Sequence, residues 1–175
     1  MVHINQVEFE NFKSFGGSVK IPLEEGFTVV TGPNGSGKSN ILDGILFCLG
    51  LANSRGMRAE RLPDLINNSK VKEGKSSETS VSVKFNIQDW SPREDLPPLE
   101  LEEEEISLNK GQKEWVVSRK LRLMPGGSYA STYTSDGKQC TLQQIQRILR
   151  DISVDPEGSI VMPVSYTHLT LPTIA

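Results

Sequence analysis

The run GPNGSGKS, Gly32 to Ser39, constrains this chain more than any other stretch. A loop so rich in glycine is costly to order, because glycine gives up the most backbone freedom on folding. A tight turn needs one such residue or two, so the extra ones call for a reason. The flanks supply it. The β-branched segment GFTVV leads into the loop, and Ile41, Leu42, Ile45, Leu46 and Leu49 follow at helical spacing, with Gly50 as a stop. The sequence therefore predicts strand, loop, helix. In that setting successive backbone N–H groups can curl around an anion, and the helix start adds its unpaired N–H groups and the positive end of its dipole. The spacing fits G-x-x-x-x-G-K-[ST]. It assigns Gly32, Pro33, Asn34, Gly35, Ser36 and Gly37 to a phosphate cradle, Lys38 to the β- and γ-phosphates of a nucleotide and Ser39 to Mg2+.

Strand patterns dominate elsewhere. INQVEFENFKSF and GGSVKIPL read as strands separated at Gly16 and Gly17. In TSVSVKFNI, Val81, Val83, Phe85 and Ile87 share one face. EWVVSRKLRL and SYASTYT read as two further strands joined at MPGG, and Asp136-Gly137 marks a turn. Thr141 opens TLQQIQRILRDI with Gln144 in the capping-box position and Leu142, Ile145, Ile148, Leu149 and Ile152 on one face. DWSPREDLPPLELEEEE is predicted to be a loop whose acidic end, Glu102 to Glu105, is solvated. The basic text from Arg55 to Lys75 could track a phosphate backbone. Together these patterns predict an α/β domain dominated by hairpins, with two helices.

Composition narrows the function classes. A chain of 175 residues, 36% hydrophobic, suits one ordinary soluble domain. The net charge of -3 gives no global signal for nucleic acid, so DNA contact requires a local patch. No apolar run approaches a membrane span, and the N-terminus does not read as a signal peptide. Cys48 and Cys140 lie far apart without metal-like spacing, as expected of plain thiols in a reducing compartment. Hydrolysis at a phosphate loop needs a second acid to complete the Mg2+ shell, usually at the end of an apolar strand. No run of four apolar residues ends in Asp or Glu here, and Asp43, Asp64 and Asp151 sit in helical or loop text. Either the chain binds nucleotide without catalysis, or it is half of a catalytic site completed elsewhere in a longer polypeptide.

FENFKSF, then TGPNGSGKSNILDGILFCLG, then RAERLPDLI closely resemble the start of structural maintenance of chromosomes (SMC) proteins, bacterial type, over residues 1–162. The resemblance implies an α/β P-loop NTPase of ABC type, with a mixed sheet rich in antiparallel strands and a P-loop helix. It implies a head assembled from the two ends of a long coiled-coil polypeptide, with this chain as the N-terminal half. The Walker B aspartate, the catalytic glutamate and the signature motif would belong to the other half, so no catalytic residue is expected here. The ligands implied are ATP and Mg2+. Gly32 to Ser39 and Asn40 would line the phosphates, Lys13 and Ser14 would lie near the base or ribose, and Arg58 would couple the ATP site to DNA. Implied partners are the C-terminal half, a second head in a homodimer, DNA and kleisin-type subunits, in a cytoplasmic, nucleoid-associated setting without a membrane. A split ATPase of double-strand-break repair and a non-hydrolysing nucleotide-binding module are the alternatives. After DPEGSIVM the family continues with a glutamine that contacts Mg2+, whereas this chain has Pro163 and VSYTHLTLPTIA. Residues 163–175 are therefore read as a non-native tail, and the chain alone as inactive.

Overall fold

The computed structural model describes residues 2–26, 28–72, 74–91 and 106–154. Strands β1 (His3–Phe12), β2 (Phe15–Pro22), β3 (Ser77–Asn86), β4 (Glu114–Leu123), β5 (Tyr129–Ser135) and β6 (Lys138–Cys140) form one sheet in the order β2-β1-β3-β4-β5-β6. Each named pairing is antiparallel. The pleat sorts residues as the alternation predicts. Thr79, Val81, Val83 and Phe85 of β3, with Trp115, Val117 and Leu121 of β4, face the core, each worth about 1.5–3 kcal/mol where large and apolar. The Trp115 indole N–H donates to Ser135 Oγ at 2.9 Å, so the largest buried ring keeps its polar handle satisfied. Ion pairs cover the opposite face: Glu78 meets Lys120 at 2.9 Å and Arg122 at 3.2 Å, and Lys20 meets Glu8 at 3.3 Å. The hydrogen bond from Lys120, helped by Arg122, holds the Glu78 carboxyl below its usual range.

Two helices lie on the buried face. Helix α1 (Lys38–Leu49) runs over β1, β3 and β4. Its glycine at position 44 allows this: a Cβ there would stand 2.2 Å from Cε1 of the buried Phe9 ring. The helix stops at Gly50, whose φ of 66° is left-handed, and the Leu51 N–H returns to Leu46 O at 3.0 Å. Among the described contacts, Arg119 of β4 supplies the cation that this C-terminus lacks within its own last turn. Its guanidinium donates to Phe47 O at 3.0 Å and to Ser131 Oγ at 2.8 Å, and lies 4.5 Å from the Phe47 ring and 4.7 Å from the Tyr133 ring. Burial pushes the Arg119 guanidinium below its usual range. The Cys48 thiol donates to Val117 O at 3.3 Å in the same contact. Helix α2 (Leu142–Asp151) starts in the expected capping box, with the Thr141 N–H donating to Gln144 Oε1 at 2.8 Å. It buries Ile145, Ile148 and Leu149.

The structure departs from the sequence reading in two places. The first hairpin turns at Lys13 and Ser14, with Phe12 opposite Phe15, and Gly16 and Gly17 lie inside β2. Tertiary contacts override the glycine signal: the Lys13 N–H donates to Leu65 O at 2.7 Å and Asn67 Nδ2 donates to Lys13 O, holding Lys13 left-handed at φ 47°. The segment Thr28–Val30 is not a strand, and Val29 and Val30 are 65% and 46% exposed. A strand needs a neighbour to satisfy its N–H and C=O groups, and among the described residues none pairs with this segment. The proline-rich loop and its acidic end (residues 92–105) and the 163–175 tail lie outside the described residues.

Gly44→Ala should destabilise the domain by about 1–3 kcal/mol in urea titrations, because overpacking against Phe9 outweighs the helix-propensity gain of about 1 kcal/mol. Burial raises the Cys48 thiol from 9.0 to about 12. The unfolded chain therefore loses this proton first as pH rises. Stability should hold below pH 9.0 and fall between 9.0 and about 12, by about 1.4 kcal/mol per pH unit for this thiol. Cys48→Ala should remove that component from the stability–pH curve.

Candidate phosphate-binding site

The loop Gly32–Gly37 ends at the N-terminus of α1. Gly35 (φ 80°) and Gly37 (φ 91°) both take left-handed backbone. At Gly37 the requirement is double, since a Cβ would also stand 2.8 Å from Ser14 Oγ. A Cβ on Gly32 would meet Ser36 Oγ at 2.9 Å. The helix start has no side-chain cap and no acid in its first turn to offset the dipole's positive end, and the Asn40 N–H donates to Gly37 O at 2.9 Å. Gly32 to Ser36 and Ser39 are exposed, and Lys38 is half-buried. Lys38 Nζ donates to the carbonyls of Gly32 and of Pro33, the latter at 2.7 Å, so its charge lies over the mouth of the loop. An exposed glycine loop that opens an uncapped helix beside a lysine is a setting in which backbone amides receive phosphate.

The other sequence-predicted residues converge on this loop. Ser14 Oγ accepts from Asn40 Nδ2 at 2.8 Å and ties the hairpin tip to the first turn of α1. The Lys13 ammonium donates to Asp43 Oδ2 at 2.6 Å and to Met57 O at 2.8 Å. Arg58 lies at the end of a short 3-10 turn, Arg55–Met57, with left-handed backbone at φ 55°. Its Nη2 donates to Ser39 O at 2.8 Å and to Asp43 Oδ2 at 2.6 Å. Asp43, one turn beyond Ser39 and 2% exposed, was missed as a site residue. An acid four residues after the loop serine, inside an amphipathic helix, was the only available signal. In the basic run, Arg58 meets Asp43 and Arg61 lies 3.7 Å from Asp64. Among the described residues, no group of three His, Cys, Asp or Glu could hold a metal ion, and no helix is long and apolar enough to cross a membrane. Ser39 lies exposed in the first turn of α1.

The sequence profile of the RecF/RecN/SMC N terminal domain matches residues 3–158. The chain belongs to this family. It is 51% identical over 172 residues to the chromosome partition protein Smc of Synechococcus sp., covering 97% of this chain and 14% of that protein. With the Smc of Pyrococcus furiosus it shares 34% identity over 159 residues, 90% of this chain and 12% of the relative. It thus spans about a seventh or less of these relatives. Among solved structures, it superposes with TM-score 0.67 and 34% identity on the Pyrococcus furiosus Smc head domain with an extended coiled coil, bound to the C-terminal domain of ScpA. That match covers 90% of this chain and 35% of the other. A second head, from work on ATP-driven dimerization and DNA-stimulated activation of SMC ATPases, gives 0.66 at 34% identity, covering 88% and 81%. The fold is accordingly that of an SMC head of the ABC-type ATPases.

Gly37→Ala should weaken nucleoside triphosphate binding about tenfold or more, from left-handed strain and the collision with Ser14, while leaving the far-ultraviolet dichroism of the sheet unchanged. Fluorescence titration with a labelled ATP analogue reads the first outcome, and dichroism the second.

Proposed function

We propose that residues 1–162 form the ATP-binding N-terminal lobe of the head of a chromosome-organising ATPase. The observation that carries the reading is the open, uncapped amide cradle with Lys38 over its mouth, followed by the buried Asp43 that ties Lys13 and Arg58 to the same helix. Gly32 to Ser39 and Asn40 bind the phosphates, Ser14 braces the loop beneath the ribose, and the Ser39 hydroxyl ligates Mg2+. Held there, Mg2+ would supply charge neutralisation at the phosphate oxygens. Arg58, which donates to Ser39 O at the start of α1, couples nucleotide occupancy to DNA engagement. The similarity to Smc proteins along nearly the whole chain favours this reading over a repair ATPase or a free-standing nucleotide sensor.

The lobe is half of an enzyme. Val29 and Val30 stand exposed immediately before the loop, where a strand from the C-terminal half would pair with them and cover them. That half brings the metal-binding acid and the catalytic base, and a second head brings the signature motif across ATP. ATP then joins two heads and hydrolysis parts them, with kleisin-type subunits and DNA as partners in the nucleoid.

The isolated chain should turn over ATP at background rate. Turnover well above background that Lys38→Ala abolishes would refute this. Joined to its C-terminal half with hydrolysis blocked, the head should bind magnesium–ATP in calorimetry and dimerise on size-exclusion chromatography. Lys38→Ala should lose both, and monomers only, with ATP present, would count against the reading.

A further inference from the structure

Arg119 is a buried cation without a carboxylate. The residue is 9% exposed, and its hydrogen bonds go to neutral oxygens, from Nε to Ser131 Oγ and from Nη1 to Phe47 O. Among the described residues nothing accepts from Nη2. The groups that act on its charge are Tyr133, Cys48 and Tyr129, none of them an acid. Helix α1 ends against it with about half a negative charge, and two rings add a smaller attraction. Part of a full charge is left unmatched, where buried charges are as a rule paired. The guanidinium is not sealed in. It lines a surface pocket of about 390 Å3, with Ala52, Leu62 and Tyr129 as its apolar lining and the exposed Glu60 and Arg61 as its other charges.

We propose that this pocket is a docking point for an acidic side chain, an aspartate or glutamate flanked by apolar residues, on a partner protein. The carboxylate takes the Nη2 N–H groups of Arg119, and the flanking residues lie on Leu62 and on the Tyr129 ring, which is 50% exposed. Charge favours a single acid: Arg119 and Arg61 against Glu60 leave one positive charge in the pocket. A nucleic-acid backbone is a poorer match. Its phosphates come in series, Glu60 repels the neighbours of any one that enters, and a recessed guanidinium is reached best by one group on a thin stem. The Phe47 and Tyr133 rings, 4.5 and 4.7 Å from the guanidinium carbon, hold the group in place before a ligand arrives. The pocket lies beyond the C-terminal end of α1, a helix of 12 residues and about 18 Å. The phosphate loop and the bare valines are at the other end. Docking here needs no bound nucleotide and stands apart from the reading of the loop.

NMR on the intact head, both halves present and no nucleotide added, tests this with the Nε–H signal of Arg119 as readout. The probe is acetyl-Leu-Asp-Leu-amide at millimolar concentration, and its asparagine counterpart is the control. The aspartyl peptide should shift the signal and bind about tenfold tighter than the control, or more. Glu60→Gln should tighten it about two- to threefold by removing a like charge, and Tyr129→Ala should weaken it about threefold. Arg119→Lys keeps the charge but loses Nη2, and should lose the preference for the aspartyl peptide. Thermal melts show whether that variant is folded, and if it is not, the Glu60 and Tyr129 variants decide. Equal binding of the two peptides would overturn the proposal, as would unchanged affinity in both Glu60→Gln and Tyr129→Ala. So would an unmoved wild-type signal, the result expected if an acid of the C-terminal half already fills the pocket. Displacement of the peptide by a duplex oligonucleotide that itself binds less well to Arg119→Lys would overturn it in favour of phosphate. A wild-type head that binds the peptide but no ATP would overturn the functional reading and leave the docking point standing.

Discussion

The contact between helix α1 and the sheet governs what the loop can do. An amide cradle binds phosphate well only if its N–H groups are held in place beforehand, and a loop rich in glycine cannot hold itself. Rigidity is therefore imported through the helix that the loop opens. At its middle, Gly44 lets the helix settle against Phe9. At its C-terminal end, Arg119 and Cys48 fasten it to the backbone groups of Phe47 and Val117. Near its start, Asp43 is gripped by Lys13 and Arg58. Three attachments along twelve residues hold the helix against the sheet, and the loop is joined to its start.

Most of this architecture was legible because it rests on local periodicity. The alternation at Val81, Val83 and Phe85 needs no distant information, nor does the Thr141–Gln144 capping pair, and both elements formed as read. What escaped depends on groups far apart in sequence. Gly16 and Gly17 outrank Lys13 as turn formers by intrinsic preference, yet Leu65 and Asn67, more than fifty residues away, hold Lys13 in the turn. Asp43 looked like one polar residue on an amphipathic helix, because its partners at positions 13 and 58 come from two other segments. The strand expected at Thr28–Val30 failed for the complementary reason: its pattern was right, but a ladder needs a neighbour and none is among the described residues.

Charge follows the same logic of local pairing. The exposed face of the sheet carries many ionised groups, but Lys120 and Arg122 share Glu78, and Lys84 faces Glu114 at 3.4 Å. Such surface pairs contribute little stability, about 0–1 kcal/mol each, and their main effect is to quench the field. The uncompensated positive potential is left at the loop mouth, where Lys38 and the helix dipole add. An anionic ligand at the loop thus meets both of these positive groups.

The bare valines before the loop bear on how such a protein is made. In relatives of which this chain spans about 14%, ribosomes need on the order of a minute to finish the remainder. Until a covering strand arrived, this border of Val29 and Val30 would stay open to solvent. Nascent neighbours on the same messenger would carry the same border, so mispairing between sister chains is the hazard. A chaperone, or slow local synthesis, that shields this border until the distal segment emerges would set the yield of correctly closed heads.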